Sequence, residues 1–597
     1  MKTLGPTATG LKPPRLLVHL RPVTYCLVHL ALVLLRLACV AFFVFTAWLY
    51  DEVSRTNLAN SLTAFNLVLS LKYFPFFRLL HVGFALLFAF STLLRVWQWL
   101  RRRVCPRRRK VVPHEGNQIG RRLQTTIESA YERVYGRRGL CGVEDSWFDL
   151  IFLGREIIEL VLQTIQAAHM SRLVSRPSFN HFYICVIVAN CWLTPLLHHL
   201  LQHRPGLQRL SCVVCDLALD FITVVRTPVY LFSVYYRDFD STLLDFPYSL
   251  WYYDRWQINL LNEVQLIFLS SWGDVFSRVF FSMSLLGSIR SIHRLISLQD
   301  ASITGHTLSI QPEAFLEQRE ARISRLTARA NRVMLPCIAL WGLGVLSVHL
   351  HASRLPSSSS CDVAVHPWFV SKPACSLMII NCHSLQIQGN KDELDKTLGQ
   401  VDEHSLAYIV LRHCPQMEMP PLLDQFPALV GLKMFNCTIP EWTKDAALTA
   451  SAHPRIRFLY LVRVNFQDSI LPDGMTDTQF PQTLVDIELC VTNLKELPDD
   501  LHEKWPSGGY IDLEASNLDR FPPTLTKMSF LALSLAGNTI TTIPSSIFED
   551  DGAFSLSFRG NPITSLLNDV VYNAGRFTRV SLEYSSLSVI PVRMEAH

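Results

Sequence analysis

Charged side chains are scarce in this sequence: Asp, Glu, Lys and Arg make up 18% of its 597 residues, against 49% hydrophobic. A soluble protein of this length carries more charge, so an entirely water-exposed chain is excluded. Catalytic signatures are missing too. No P-loop, GxGxxG, HExxH, GxSxG or protein-kinase pattern stands at a plausible position, and with them go the phosphate-cradling loops, zinc-binding helices and nucleophile elbows those patterns build. Neither an enzymatic activity nor a cofactor is expected. The single CxxC, Cys212 and Cys215, lies in an apolar run without a second pair, so it is read as two small packed residues and no metal site is expected. No small-residue cleavage site follows the first apolar run, which contains Arg36. That run is therefore expected to stay as a signal anchor.

The apolar residues crowd into runs before residue 352. Crossing a bilayer takes about 20 apolar residues in a helix, and runs at 25–50, 76–99, 179–201, 210–236 and 333–351 are long enough. Two further stretches are ambiguous. Residues 148–168 carry the stripe Glu156, Glu159, Gln163 and Gln166, which at helical spacing faces either the inside of a bundle or water at an interface. Residues 258–290 exceed one crossing and hold Gly273 and Asp274 near the middle, giving a broken helix or a re-entrant pair. The expectation is seven crossings.

Basic residues beside a crossing tend to remain in the cytoplasm. Residues 101–139 hold twelve Lys/Arg against three acids, and Arg322, Arg325, Arg329 and Arg332 precede the last run. With both segments inside, the final helix delivers the C-terminal part outside. The loop 169–178, with Arg172 and Arg176, fits this scheme poorly.

That C-terminal part repeats. Starts at Leu406, Leu429, Ile456, Leu484, Gly508, Phe530, Ala553 and Phe577 are 22 to 28 residues apart, and Pro420, Pro498, Pro522, Pro544 and Pro591 recur at one offset. Together with LxxLxLxxNxLxxLP spacing across 529–548, this is a leucine-rich repeat pattern, whose stacked units bury one core behind a curved, mostly parallel sheet. A capping strand is expected within 377–387. The fold class is thus a multi-pass α-helical membrane bundle followed by an α/β leucine-rich-repeat solenoid. By residue number, 1–100 form a helical hairpin of two crossings, 101–147 a basic cytoplasmic linker, and 148–351 a bundle of about five crossings. A tether and the start of a cysteine-containing cap follow at 352–376, and the repeats occupy 377–597.

Cys414 and Cys437 occupy the ladder position held later by Asn538 and Asn561, so both are expected as reduced core residues. Cys361, Cys375 and Cys382 cluster at the start of the repeats, where an extracellular address would let two of them bridge. Asn436, in the sequon "NCT", becomes a glycosylation candidate if the repeats enter the secretory lumen. Within the crossings, Asp216 and Asp220 stand four apart with Arg226 beyond them, joined by Glu263 and the pair Asp274 and Arg278. Such charges mark buried pairing or an ion path, and bundle-holding salt bridges are the preferred reading. His198, His199 and His203 end the preceding run and could join Asp216.

Side chains alternate along a strand. The columns turned away from the repeat core contain Tyr408, Phe435, Phe458, Tyr460 and Tyr510 as expected exposed aromatics, and Asp486, Glu488, Asp512 and Glu514 as an acidic cluster on two adjacent repeats. Like charges on neighbouring strands are unfavourable, so the cluster is either a solvated sheet face or a concave-face site for a basic ligand.

The strings "WFDLIFLGREIIELVLQTIQA", "NCWLTPLLHHLL", "CDLALDFITVV", "LNEVQLIFLSSWGDVFSRV" and "WFVSKPACSLMIINC", followed by repeats, resemble an uncharacterised family of multi-pass membrane proteins with C-terminal leucine-rich repeats found in oomycetes such as Phytophthora. The resemblance covers about residues 145–590 and implies architecture without an activity. The expected function is a membrane-anchored, receptor-like or adhesion protein at the plasma membrane. Its extracellular repeats would bind a protein, peptide or glycan, with membrane lipid and a signalling co-receptor as further partners and no nucleic acid. A channel or transporter with regulatory repeats is the alternative, weakened by the lack of internal duplication.

Overall fold

The computed structural model describes residues 17–65, 67–104, 147–298, 313–549, 553–566 and 578–588. Most of the basic segment 101–139, the repeat start Phe577 and Pro591 lie outside the described residues. The chain divides into a helical unit (1–170, 176–247, 263–350) and a repeat unit (171–175, 248–262, 351–597).

In the helical unit a short strand β1 (Val18–Leu20) pairs in parallel with β2 (Ile296–Leu298). Helix α1 (Pro22–Val53) opens with proline in its first turn, where a missing N–H costs nothing. It packs against α2 (Phe74–Val104), with the Phe43 ring 5.3 Å from Phe84 and 5.5 Å from Phe88. The opposite faces stay open: Leu27, Leu30, Leu34 and Leu37 form one exposed stripe and Leu79, Leu86, Phe90 and Leu93 another. Exposed aliphatic stripes of this length belong against lipid rather than water.

Helix α3 (Phe148–Leu173) resolves its ambiguity by turning inside out. Glu156, Glu159 and Gln163 are buried, whereas Ile151, Ile158 and Ile165 are exposed. The polar stripe thus faces the bundle interior. Helix α4 (Pro177–Leu200) follows; then α5 (Pro205–Phe221), a π-helical turn (Ile222–Arg226) and α6 (Thr227–Tyr235) form one interrupted run. The stretch 258–290 is a broken helix. After α7 (Tyr248–Trp251), α8 (Asp254–Ile267) stops, and Ser271 caps α9 (Trp272–Leu295), its hydroxyl accepting from the Asp274 amide while the Asp274 carboxylate accepts from the Ser271 amide. Helix α10 (Glu313–Ser353) packs closely on α4: a Cβ at Gly342 would lie 2.6 Å from Cys191 Cβ.

Among the described residues five helices are long and apolar enough to cross a membrane, at Pro22–Val53, Leu71–Trp97, Pro177–Leu200, Trp272–Leu295 and Arg325–Ser353. The seven expected from sequence included 148–168 and 210–236. Arg155, Glu156 and Glu159 keep the first outside that set, and the π-helical turn divides the second into helices of 17 and 9 residues, too short to cross.

The repeat unit is a ten-stranded sheet in sequence order. Strand β3 (Cys361–Val365) runs antiparallel to β4 (Ala374–Asn381), which is the capping strand the sequence implied, extended by a partner it did not. From β4 onward each strand pairs in parallel with the next: β5 (Tyr408–Arg412), β6 (Gly431–Ile439), β7 (Phe458–Phe466), β8 (Asp486–Cys490), β9 (Gly509–Asp512), β10 (Phe530–Ser534), β11 (Ala553–Ser557) and β12 (Arg579–Ser581). The sheet is open rather than a closed solenoid.

The recurring prolines explain the return path of each repeat. Pro420, Pro498, Pro522 and Pro544 each offer their carbonyl to the amide three residues on, at Leu423, Leu501, Leu525 and Ile547, over 3.0 to 3.4 Å. The fixed proline φ starts a tight turn, and the donor residue's side chain drops into the core, every one of the four being buried. Most connectors are therefore short 3-10 turns (Pro421–Gln425, Leu501–Glu503, Pro523–Lys527) instead of the full helices that an α/β solenoid would carry. Asn538 and Asn561 build the ladder as expected: Asn538 Nδ2 donates to the Leu513 and Leu535 carbonyls while its Oδ1 accepts from the Leu518 amide.

The cysteines divide differently from the expectation. Cys361 bridges Cys375, and Cys382 bridges Cys414 with Cα atoms 5.0 Å apart. Cys437 is free and buried. Cys414, expected to be reduced, is instead a disulfide partner because the parallel pairing of β4 with β5, which sets Asn381 beside Arg412, brings Cys382 and Cys414 at the strand ends together. Gly389, at φ +89°, lets the backbone pass there: a Cβ would lie 2.9 Å from Cys414 Cβ and 3.1 Å from Cys382 Sγ.

Candidate functional site

The site is the face that β5 to β9 turn away from the core. Strand alternation sends Tyr408, Phe458, Asp486 and Tyr510 into one column and Lys433, Tyr460, Glu488 and Asp512 into the next. The register sets Glu488 directly beside Asp512, as the alternation implies.

Exposure departs from the expectation. Tyr408, Phe458 and Tyr460 are buried rather than exposed, and so is Glu488. Phe435 is half-buried. Tyr510 is 41% exposed, while Asp486, Asp512 and Glu514 are half-buried. The Tyr408 ring lies flat over Gly431, where a Cβ would come within 2.0 Å of the ring; glycine is what allows the ring to lie down. Phe458 follows at 6.4 Å between centroids, and Tyr460 stands 5.7 Å from Phe458.

A segment of the same unit, residues 248–262, covers this aromatic row. The Tyr252 hydroxyl donates to Glu488 Oε1 at 2.6 Å, and its ring sits 6.1 Å from that of Tyr460. The Tyr460 hydroxyl in turn donates to Asp486 Oδ2 at 2.8 Å. Asp254 accepts from Arg412 Nη2 and from Lys433 Nζ, both at 2.8 Å. Farther along, Asn262 Nδ2 donates to Ser376 Oγ at 2.9 Å, and Arg255 pairs with Asp362 at 3.4 Å. The segment therefore places an acid on the basic end of the face and a hydroxyl donor on the acidic end.

Sequence reading passed over Arg412 and Lys433. Both stand in the outward columns, so the signal was present and only the acids and aromatics were extracted from it. Tyr252 and Asp254 had no local signal at all.

Burial dominates the electrostatics. It pushes the Asp486 carboxyl well above the ordinary carboxylate range, with Glu488 adding to the rise and the Tyr460 hydrogen bond opposing it. Glu488 is raised by burial and partly restored by Tyr252 and Lys433. Asp512 is raised to about 7 by burial and by the neighbouring Glu488 and Glu514. Ser534 Oγ donates to Glu514 Oε1 at 2.5 Å.

The remaining sequence candidates lie elsewhere. Asn436 is exposed at φ +53°, and its side-chain nitrogen, the atom a glycan would take, contacts His413 Nδ1 at 2.8 Å. In the helical unit Asp216 pairs with Arg155 and accepts from Ser288 Oγ at 2.9 Å. Arg226, in the π-helical turn, lies 4.0 Å from the Phe182 ring centroid. Asp220 accepts from Ser284 Oγ at 2.8 Å. Glu263 accepts from Arg176 Nε at 2.8 Å and from the Tyr235 hydroxyl at 2.7 Å. Asp274 is committed to the cap of α9, and Arg278 leaves Nη1 without a hydrogen-bond partner. His198 contacts Gln208 at 2.5 Å rather than Asp216.

No protein-family model and no curated protein matches the chain. Among solved structures it is similar to TLR13 in the TLR13–ssRNA13 complex, at 16% identity and a TM-score of 0.28, over 36% of this chain and 29% of that one. It is also similar to a leucine-rich repeat protein of Leptospira interrogans, at 19% identity and a TM-score of 0.27, over 35% of this chain and 49% of the other. The chain thus spans less than half the length of either.

Proposed function

We propose that this protein is a membrane-anchored, receptor-like binding protein whose repeats stand outside the cell and recognise a basic protein or peptide. The observation that carries the reading is the two-ended charge of the outward face. Its basic end, Arg412 and Lys433, is already satisfied by Asp254. Its acidic end, Asp512 and Glu514 beside the exposed Tyr510, is not matched by a cation from the same two strands. Half-buried carboxylates next to an aromatic surface suit Lys or Arg side chains, with the ring supplying contact area and the acids steering. The five helices long and apolar enough to cross a membrane support the anchor, and the basic stripe Arg322, Arg325, Arg329 and Arg332 supports an outward repeat unit. A signalling co-receptor and anionic lipid remain part of the proposal.

Two measurements test it. On intact cells an epitope inserted after Asp473 should be reachable by antibody and one near Arg108 should not; equal access at both defeats the topology. Full-length protein in lipid nanodiscs should capture a Lys/Arg-rich peptide in a salt-sensitive manner, and the double change Asp512→Asn with Glu514→Gln should weaken capture at least tenfold. Unchanged capture moves the site off this face.

A further inference from the structure

Two helices of the helical unit turn carboxylates toward one point, and a third adds hydroxyls. Glu159 on α3 and Asp216 and Asp220 on α5 are each at most 2% exposed, and one oxygen from each lies within 4.8 Å of the others. Ser284 and Ser288 on α9 add two hydroxyls: Ser284 Oγ bonds both Glu159 and Asp220, and Ser288 Oγ bonds Asp216. Among the described residues Arg155 supplies the one cation bonded to the three, touching Glu159 at 3.3 Å, pairing with Asp216 and donating to Ser288 Oγ at 3.0 Å.

Two features make this more than a structural ion pair. Charge is the first: in their ionised forms three carboxylates against one guanidinium leave two negative charges where transfer from water is most costly, which a bound cation would relieve. The second is that each carboxylate keeps a buried oxygen with no hydrogen-bond partner, namely Glu159 Oε2, Asp216 Oδ1 and Asp220 Oδ1. Buried acceptors without donors are rare. A cation needs only the lone pairs these oxygens present.

We propose that Glu159, Asp216 and Asp220, with the Ser284 and Ser288 hydroxyls, bind one hard divalent cation inside the helical unit. The donors are all oxygen, which selects calcium, magnesium or manganese over zinc or copper. A charge of two neutralises what Arg155 leaves over. The separation suits the larger ions, since oxygens about 2.3–2.6 Å from calcium stand up to about 5 Å apart across it. One turn beyond Asp220, Thr223 in the π-helical turn borders a cavity of about 70 Å³ that Gln166, Thr227 and Asp274 also line. The site goes beyond the binding role of the repeats and does not depend on it.

The test is equilibrium dialysis of the full chain, purified in detergent and stripped with EDTA, against radiolabelled calcium at neutral pH, with manganese followed by electron paramagnetic resonance. One ion per chain is expected. Asp220→Asn should weaken binding at least tenfold. Ser284→Ala, which removes a neutral ligand without stranding a charge, should weaken it several-fold and serves if Asp220→Asn does not fold. Asp402→Asn, in the separate cluster of Asp402, Glu403 and His404, should leave binding unchanged. Competition among calcium, magnesium and manganese identifies the preferred ion. No stoichiometric binding by the unaltered chain overturns the proposal, as does binding that survives Asp220→Asn and Ser284→Ala or is lost in Asp402→Asn.

Discussion

Tyr252 and Glu488 stand 236 residues apart in the chain and meet in a 2.6 Å hydrogen bond, the tyrosine hydroxyl donating to the carboxylate. Glu488 is 5% exposed, and its neighbour across the sheet is another acid, Asp512. The hydroxyl therefore meets a carboxylate that its own strands leave short of donors.

Tyr252→Phe should accordingly destabilise the protein by about 1.5–3 kcal/mol, the range for a hydrogen bond to a charged group. Adding Glu488→Gln should recover part of the loss, because the buried charge then disappears. A double-mutant cycle by chemical denaturation in detergent measures the coupling; strict additivity would show that the two side chains do not act together.

Asp512 gives the repeat unit a definite pH dependence. Its folded pKa, about 7, lies above the ordinary carboxylate value because of burial and the neighbouring Glu488 and Glu514. The folded state thus binds the proton more tightly than the unfolded chain. This contribution is fully present below about pH 4 and is lost as pH rises through about 7. Asp512→Asn should raise the melting temperature at pH 8 by several degrees and flatten its dependence between about pH 5 and 8. Identical pH profiles for the two proteins would contradict the assignment.

The bridge between Cys382 and Cys414 closes a 32-residue segment. Cross-links of this length stabilise by about 2–4 kcal/mol, so Cys414→Ser should lower the melting temperature of the repeats by several degrees. Peptide mapping under non-reducing conditions should recover the Cys382–Cys414 and Cys361–Cys375 pairs and leave Cys437 alkylatable after unfolding. Recovery of Cys437 in a disulfide would refute the pairing.

One position in each repeat, seven residues after the repeat start, takes a left-handed conformation: His413, Asn436, Arg463, Val491, Ala515, Gly537, Gly560 and Tyr584, with φ from +48° to +72°. Glycine adopts it freely, but β-branched Val491 does so against a steric cost of about 1–2 kcal/mol. Val491→Asn should stabilise the protein by about 1 kcal/mol, and Gly537→Val should destabilise it by a similar amount. Calorimetry on the two variants checks the signs.

Much of the architecture was legible in short-range pattern. Apolar runs long enough for a bilayer show without a partner in view, because the requirement is set by thickness alone. The 22 to 28 residue spacing and the recurring prolines fixed the repeat strands and their register, since each coil bonds only to its neighbours. Even Glu488 beside Asp512 follows from alternation counted along two strands.

Only the tertiary structure decided what those outward side chains meet. A strand pattern says which face a residue occupies and nothing about what lies on that face, so Tyr408 and Tyr460 looked exposed until residues 248–262 were seen to cover them. The same holds for charge. Spacing set Asp216, Asp220 and Arg226 along one run without naming their partners, and the guanidinium beside Asp216 comes from Arg155 on another helix, because periodicity cannot register a neighbour 61 residues away. Cys382 and Cys414 likewise bridge across the first coil of the repeats. Local spacing determines each element and its buried side; the pairing of buried polar groups is settled by packing between elements, where an unmatched charge or donor costs more than any local preference supplies.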